Sequence, residues 1–259
     1  MATPLILYDN VLKTWPAATE SINSFVPYAV QNLTDGRDFS LFRHNSGNTT
    51  NVEYNITEAK TVDAWGIFTR NLFTNFPPVI TLKYRRGATT TTIDSFSGAE
   101  NALKIKKFTA VNLQAGDVVI LTFTGDTLEA RQIYVGKYLE PPQGQYNSMS
   151  NPNEQQGLTI NTTISRTGDV LDRSVKRTER TGNLEISHVT ESWYRTYWEP
   201  FAVHAQRRPF FYLPDPLVDD DAVFSTAAAV VPGRPMGIGD LFSVKWKLSS
   251  ITKDSLYAI

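Results

Sequence analysis

Three histidines, His44, His188 and His204, are the only imidazoles in the chain, and there is no cysteine. None of the three falls at HxxxH or HxxE spacing, the arrangement that turns two ligands toward one metal from a single helix face. Without cysteine there is no thiolate nucleophile, no disulfide and no Cys-ligated zinc or iron–sulfur centre. No GxSxG elbow presents a serine, and no serine has a histidine partner at motif spacing. The GIGD run at 237–240 lacks the third glycine of a dinucleotide loop and follows a proline-rich turn, so it reads as a turn. Asp219, Asp220 and Asp221 offer the oxygens that calcium prefers but not the alternating spacing of calcium loops, and they read as a solvated acidic loop. A carboxylate pair for glycoside hydrolysis is defined by separation in space, which spacing along the chain does not give. The reading is a non-enzymatic protein with no catalytic residue, no metal site and no cofactor.

Binding chemistry is better represented. Trp15, Tyr54, Trp65, Phe76 and Tyr84 have the flat rings that stack on sugars or line interfaces. Trp65 lies inside an apolar run and reads as core. Arg85 and Arg86 stand where a strand gives way to a turn and read as solvated edge charges. Lys and Arg number 25 against 26 Asp and Glu. That balance argues against nucleic acid or an anionic membrane as main partner, because both demand a surplus of cations. No window approaches the ~20 apolar residues of a spanning helix. The apolar stretch at 5–7 is too short for a signal-peptide core, so synthesis in a cytoplasm is expected. Sequons at Asn32, Asn48, Asn55 and Asn161 then reflect a chain rich in Asn and Thr, not glycosylation. Such a chain still reaches the outside of a cell by assembling into a particle.

The elements that must position these groups are strands. With 259 residues, 41% of them hydrophobic, the chain has material for two ordinary domains or one large β domain. Short runs rich in Val, Ile, Thr, Phe and Tyr, separated by Gly, Asn, Asp and Pro, predict strands at 52–57, 62–69, 79–84, 89–96, 103–109, 118–124 and 130–135. VITLKYRR alternates at Ile80, Leu82 and Tyr84, as a strand with one wet face does. DVVILTF is apolar throughout, as expected of a strand covered on both faces. The expectation is all-β, with a jelly-roll or β-sandwich over 1–140.

The segment 141–157 is dense in Pro, Gly, Asn, Gln and Ser and reads as a linker or long loop. A second β-rich domain over 158–259 follows, with strands at 158–165, 184–189, 210–213, 222–231 and 241–249. Between the first two lies a charged, hairpin-like stretch, RTGDVLDRSVKRTERTG. One amphipathic helix is predicted near 190–207. Thr190 is its N-cap with Glu191 in the first turn. Trp193, Tyr197, Phe201 and Ala205 form its apolar stripe, and Arg207, Arg208 and Pro209 close it. Pro200 cannot donate to the carbonyl of Thr196, so the helix must kink there or start afresh with Pro200 in its first turn.

The stretch VDAWGIFTRNLFTNFPPVITLKY resembles galactose-binding-like β-sandwich domains of tailed-phage structural proteins, where an "A-x-G-I" strand precedes "N-L" and a "V-T-L-x-Y" strand. IYVGKYLEPP resembles the strand and proline-rich exit that closes such domains. The helix with Trp193, Pro200 and Phe201, followed by PFFYLPDP, resembles the same proteins' Pro-Phe-Phe element. The final alternating strands are similar to the split-barrel module of tail-tube and distal-tail proteins. The resemblance implies a virion structural protein of the distal tail or baseplate, forming a ring with itself and meeting other tail proteins, with the sandwich outside. Asp169 to Arg180 would be the hairpin that joins subunits, helped by the acidic loop at 219–221. The alternative is a carbohydrate-binding module for a host-surface glycan. A head-decoration protein or a glycan hydrolase is a lesser alternative.

Overall fold

The computed structural model describes residues 3–13, 17–21, 30–36, 41–44, 47, 49–71, 78–97, 103–142, 146–149, 156–164, 167, 170–217, 221–235 and 241–251. Its contacts divide the chain into two units, Ile6–Leu139 and a second made of Met1–Leu5 with Glu140–Ile259. The first strand, β1, is Leu5–Leu7.

In the first unit, β2 (Ala17–Ser21), β4 (Thr50–Asn55), β6 (Val79–Arg86), β7 (Thr89–Ser97) and β9 (Val118–Thr124) form one sheet in the order β2-β4-β9-β6-β7. The strands β3 (Phe42–His44), β5 (Lys60–Asn71), β8 (Leu103–Leu113) and β10 (Leu128–Gly136) form another, in the order β3-β10-β5-β8. The pairings within both sheets are antiparallel. Alternate residues of each meet between the sheets: Val52, Tyr54, Ile80, Leu82, Leu121 and Phe123 from one, Trp65, Ile67, Ile133 and Val135 from the other. Each such side chain, fully withdrawn from water, contributes about 1.5–3 kcal/mol. β9 sits in the middle of its sheet and is buried on both faces over Val119–Phe123, as its unbroken apolar run predicts. The N-terminal half is a β-sandwich.

The second unit is built on β13 (Val170–Thr190), a single strand of 21 residues. Its C-terminal half pairs with β16 (Leu241–Ile251), from Arg180 opposite Ser250 to Thr190 opposite Leu241. Its N-terminal half pairs with β12 (Gln156–Ile164), from Gln156 opposite Arg180 to Ile164 opposite Val170. The charged, hairpin-like stretch is therefore half of a two-stranded arm. Ten residue steps beyond the sheet at ~3.3 Å each give it a reach of roughly 30 Å. The polar segment expected to be a linker or loop holds a short strand, β11 (Tyr146–Met149), paired to β13 near Leu184. β14 (Phe210–Leu213) and β15 (Val223–Pro235) complete the sheet beyond β16. In the last strand Val244, Trp246 and Leu248 are buried while Lys245 and Lys247 are exposed, which is the predicted alternation.

The helix between β13 and β14 resolves the conflict over Pro200. The Thr190 hydroxyl accepts from the Trp193 N–H at 3.2 Å, so the predicted cap is made. A first α-turn, Glu191–Trp193, runs into a π-turn, Tyr194–Trp198, and a fresh α-helix, Glu199–Ala205, follows with Pro200 in its first turn. At the junction the Glu199 N–H reaches back five residues to the Tyr194 carbonyl. A wide turn before a proline accommodates the missing donor and shifts the apolar face by one position. The expected stripe is corrected accordingly: Trp198, Phe201 and Ala205 are buried, whereas Tyr197 is 43% exposed. The indole of Trp198 stacks on Trp246 at 4.6 Å, and Phe201 meets Trp246 and Phe210 at 5.0 Å each.

Candidate interaction surfaces

The sandwich uses its polar groups to hold itself together. Trp65 is core, as expected, and its Nε1 donates to Asp94 Oδ2 at 2.8 Å while its ring lies 4.3 Å from Phe96. Tyr54 is buried too, and burial pushes its phenol above the ordinary range. Tyr84 is half-buried under the Arg86 guanidinium, 5.6 Å from the ring centre. Trp15 and Phe76 lie outside the described residues.

Arg85 and Arg86 are not the free edge charges expected of them. Arg85 grips Glu53 through two bonds of 3.1 and 2.8 Å, from β6 to β4, and the strand between is β9. Arg86 grips Asp117 at 2.9 and 2.7 Å and donates to the Asn112 carbonyl at 2.8 Å. The hydrogen bonds from Arg86 draw the Asp117 carboxyl below the usual carboxylate range, against an opposing push from burial. Turn position misled because the partners of both arginines come from residues about 30 positions away in the chain, 32 for Arg85 and 31 for Arg86.

The remaining buried carboxylates are also engaged. Glu129 is held by Arg43, and Asp126 accepts from the Thr127 N–H at 2.9 Å. Asp63 is the one described carboxyl pushed upward, by burial, and it accepts from the Tyr138 N–H at 2.9 Å with Lys137 and Lys107 near it. His44 is buried with Nδ1 2.9 Å from Thr50 Oγ1, and burial lowers its pKa. His188 is exposed and stands in a left-handed conformation, φ 63°, where the register of β13 shifts. His204 Nε2 lies 3.2 Å from the Pro209 carbonyl. Among the described residues no three His, Asp or Glu side chains gather as a metal would need, and no helix is long and apolar enough to cross a membrane. Asp219, Asp220 and the GIGD run lie outside the described residues.

The second unit presents open backbone instead. Along 170–179, β13 has β12 on one side and no paired strand on the other among the described residues, because β16 begins at Arg180. β15 pairs with β14 only over Val223–Ser225, so 226–235 has no paired strand on that side among the described residues. These are two edges of about ten residues, and both face the β14 side of the sheet. The composition of 226–231, TAAAVV, shows an uncharged edge, but nothing local reveals that β14 stops short of it.

A chain with this architecture is a two-unit, all-β protein. No protein-family model matches it, and neither does any curated protein. Solved structures do. The chitosan-binding module 1 derived from chitosanase/glucanase from Paenibacillus sp. IK-5 is 16% identical, with a TM-score of 0.38 over 49% of this chain and 98% of that one. CBM32-1 from a family 31 glycoside hydrolase from Clostridium perfringens is 19% identical, with a TM-score of 0.38 over 50% of this chain and 99% of its own. A putative alpha-L-fucosidase from Bacteroides thetaiotaomicron is 14% identical, with a TM-score of 0.40 over 50% of this chain and 28% of its own.

Proposed function

We propose that the chain is a non-enzymatic structural component of a tailed-phage particle, a distal tail or baseplate protein. Its second unit builds a ring, and its sandwich faces outward, where it can meet a host-surface glycan. The observation that carries this reading is the arm. An isolated two-stranded ribbon is marginal in water, and an exposed strand edge is a template for pairing with another chain. Here the arm leaves one edge of β13 without a paired strand over 170–179, and β15 leaves an edge of similar length without one over 226–235, among the described residues. Contact between two different surfaces joins copies head to tail, and such contacts close into rings when the rotation allows.

The test keeps the register of the sheet. Residues 159–177 are replaced by Asn-Gly, which joins Leu158 to Thr178, a pair already opposite one another. Light scattering and negative-stain images should show rings for the native chain and a folded monomer for the shortened one. Rings from the shortened chain would sink the assembly reading.

The glycan-binding names of the similar sandwiches put a second reading beside the first, a carbohydrate-binding module acting alone. A native chain that stays monomeric with every candidate partner, yet is retained by one class of glycan on an array, would move the conclusion there.

A further inference from the structure

We propose that the outer face of the five-stranded sheet binds the carboxylate of an acidic sugar. The inference rests on the reading that the sandwich meets a host-surface glycan, and it names the face and the class of sugar. Three strands build this face. Asn51 on β4 and Thr81 on β6 both stand opposite Thr122 of β9, and Glu53 and Lys83 both stand opposite Ile120. Neither pairing contains a register shift, so each row is continuous across the three strands. Val52, Leu82 and Leu121 lie between these residues along their strands and belong to the core between the sheets. By the two-residue alternation of a strand, their neighbours point away from that core.

Burial gives the face a floor and two sides. Ile120 and Thr122 on the central strand are each 6% exposed, while Asn51, Glu53, Thr81 and Lys83 beside them are half-buried. The bridge from Arg85 to Glu53 crosses β9 and closes the end toward Val118, which stands opposite Arg85. The open part lies around Thr122.

Its polar groups are not used by the fold. The Thr122 hydroxyl is buried without a hydrogen-bond partner. Lys83 meets no carboxylate, and the side chains of Asn51 and Thr81 have no partner either, among the described residues. A lysine withdrawn from water is ordinarily paired, and a buried hydroxyl left unmet carries its full desolvation cost. A ligand that brings acceptors accounts for both. The ammonium, the amide N–H and the two hydroxyls all donate, and bonds from such donors to a carboxylate are the strong ones. Glu53 is already held by Arg85, so the free charge among these residues is positive. A sugar carboxylate answers that charge, and the sugar's own hydroxyls match the rest of the row.

A glycan array tests this on the full chain. It carries uronate-bearing glycans, sialylated glycans, the carboxyl-reduced form of each, and neutral dextran. The native chain should be retained by carboxylated glycans and not by their reduced forms, and the two acidic sets tell a uronate from a sialate. Circular dichroism confirms that each variant folds. Lys83→Ala should weaken retention at least about tenfold, and Lys83→Arg should recover most of it. Thr122→Val should weaken it about threefold without lowering the urea midpoint, because the hydroxyl it removes has no partner in the fold. Acidic glycans held equally well by K83A and T122V would overturn the face and leave the glycan reading standing. Retention of neutral or reduced glycans alone would overturn the acidic sugar and spare the same reading. A native chain retained by no glycan would overturn both, with the ring still judged by the shortened arm.

Discussion

The two units treat their strand edges in opposite ways. In the sandwich, the edge strand β8 is guarded. Its Lys104 and Lys106 stand opposite Ile67 and Trp65 on the core-facing side, and the register of β5 and β8 shifts after Val62. Lys106 donates to the Ser95 carbonyl at 2.6 Å and lies 4.7 Å from the Phe96 ring, so the charge serves the fold while it obstructs pairing. Inward charges and bulges are the devices by which natural sheets refuse a further strand. In the second unit 170–180 of β13 carries charges and two register shifts against β12, whereas 226–231 of β15 carries no charge.

The comparison breaks most sharply at Trp65. Its replacement by Ala removes a buried ring from the sandwich and leaves Asp94 without its indole donor. Loss of a buried Trp costs about 3–5 kcal/mol. Urea unfolding of W65A, followed by fluorescence and by backbone dichroism, should show an early sandwich transition and an unmoved transition for the second unit. If both move together, the units share one cooperative structure and the contrast fails.

Much of the sandwich was legible because each unit of information was local. The alternation in VITLKYRR and the unbroken run of DVVILTF gave β6 and β9 nearly to their ends. The cap at Thr190 and the alternation through Val244, Trp246 and Leu248 were legible for the same reason. What sequence missed depends on partners. Tyr197 was placed on the buried face because a four-residue interval was carried across Pro200, and a π-turn changes that count. Tyr146–Met149 looks like linker because its polar residues form a strand only with β13 beside it. The pairing of Arg86 with Asp117 joins residues 31 apart that periodicity cannot connect.

Two glycines sharpen the comparison with a single substitution in each unit. A methyl group on Gly136 would stand 1.8 Å from the Asp9 carbonyl oxygen and 2.9 Å from its carbon, so backbone must move. On Gly233 it would stand 2.4 Å from Tyr194 Cε2, where an aromatic side chain must yield and the bond from the Gly233 N–H to Tyr194 Oη is strained. Overpacking costs about 1–3 kcal/mol, and G136A should lie at the upper end and G233A at the lower. Each should shift only its own transition. A larger loss for G233A would mean that the helix is held more rigidly than the sandwich.

Acid should separate the units more gently. Burial lowers the pKa of His44 in the folded state, so the unfolded chain binds its proton more readily. Stability from this group is full above the ordinary value near 6.5 and falls as pH drops below it toward the folded pKa. Asp117 acts in a lower window, because its depressed pKa makes stability fade only below about 4. Both groups are in the sandwich. Its urea midpoint should therefore decline between pH 7 and 5 while that of the second unit holds, and His44→Phe should flatten the decline. A slope that survives in H44F would assign it to another group.

The smallest effect expected is at the helix that the second unit inserts between β13 and β14. Thr190 satisfies the Trp193 N–H, and its removal leaves that donor to water at an exposed turn. Cap removal costs about 1 kcal/mol, against about 0.3–0.5 kcal/mol for an exposed pair such as Glu191 with Arg195. T190A should thus outweigh R195A, and only R195A should lose its effect in high salt, since screening acts on charges and not on the cap. Neither should move the sandwich transition. The Trp198 ring provides the readout, because its stack on Trp246 ties the helix to the sheet. If T190A alters near-ultraviolet dichroism as well as stability, the cap sets the packing of that stack and not merely the fraying of one turn.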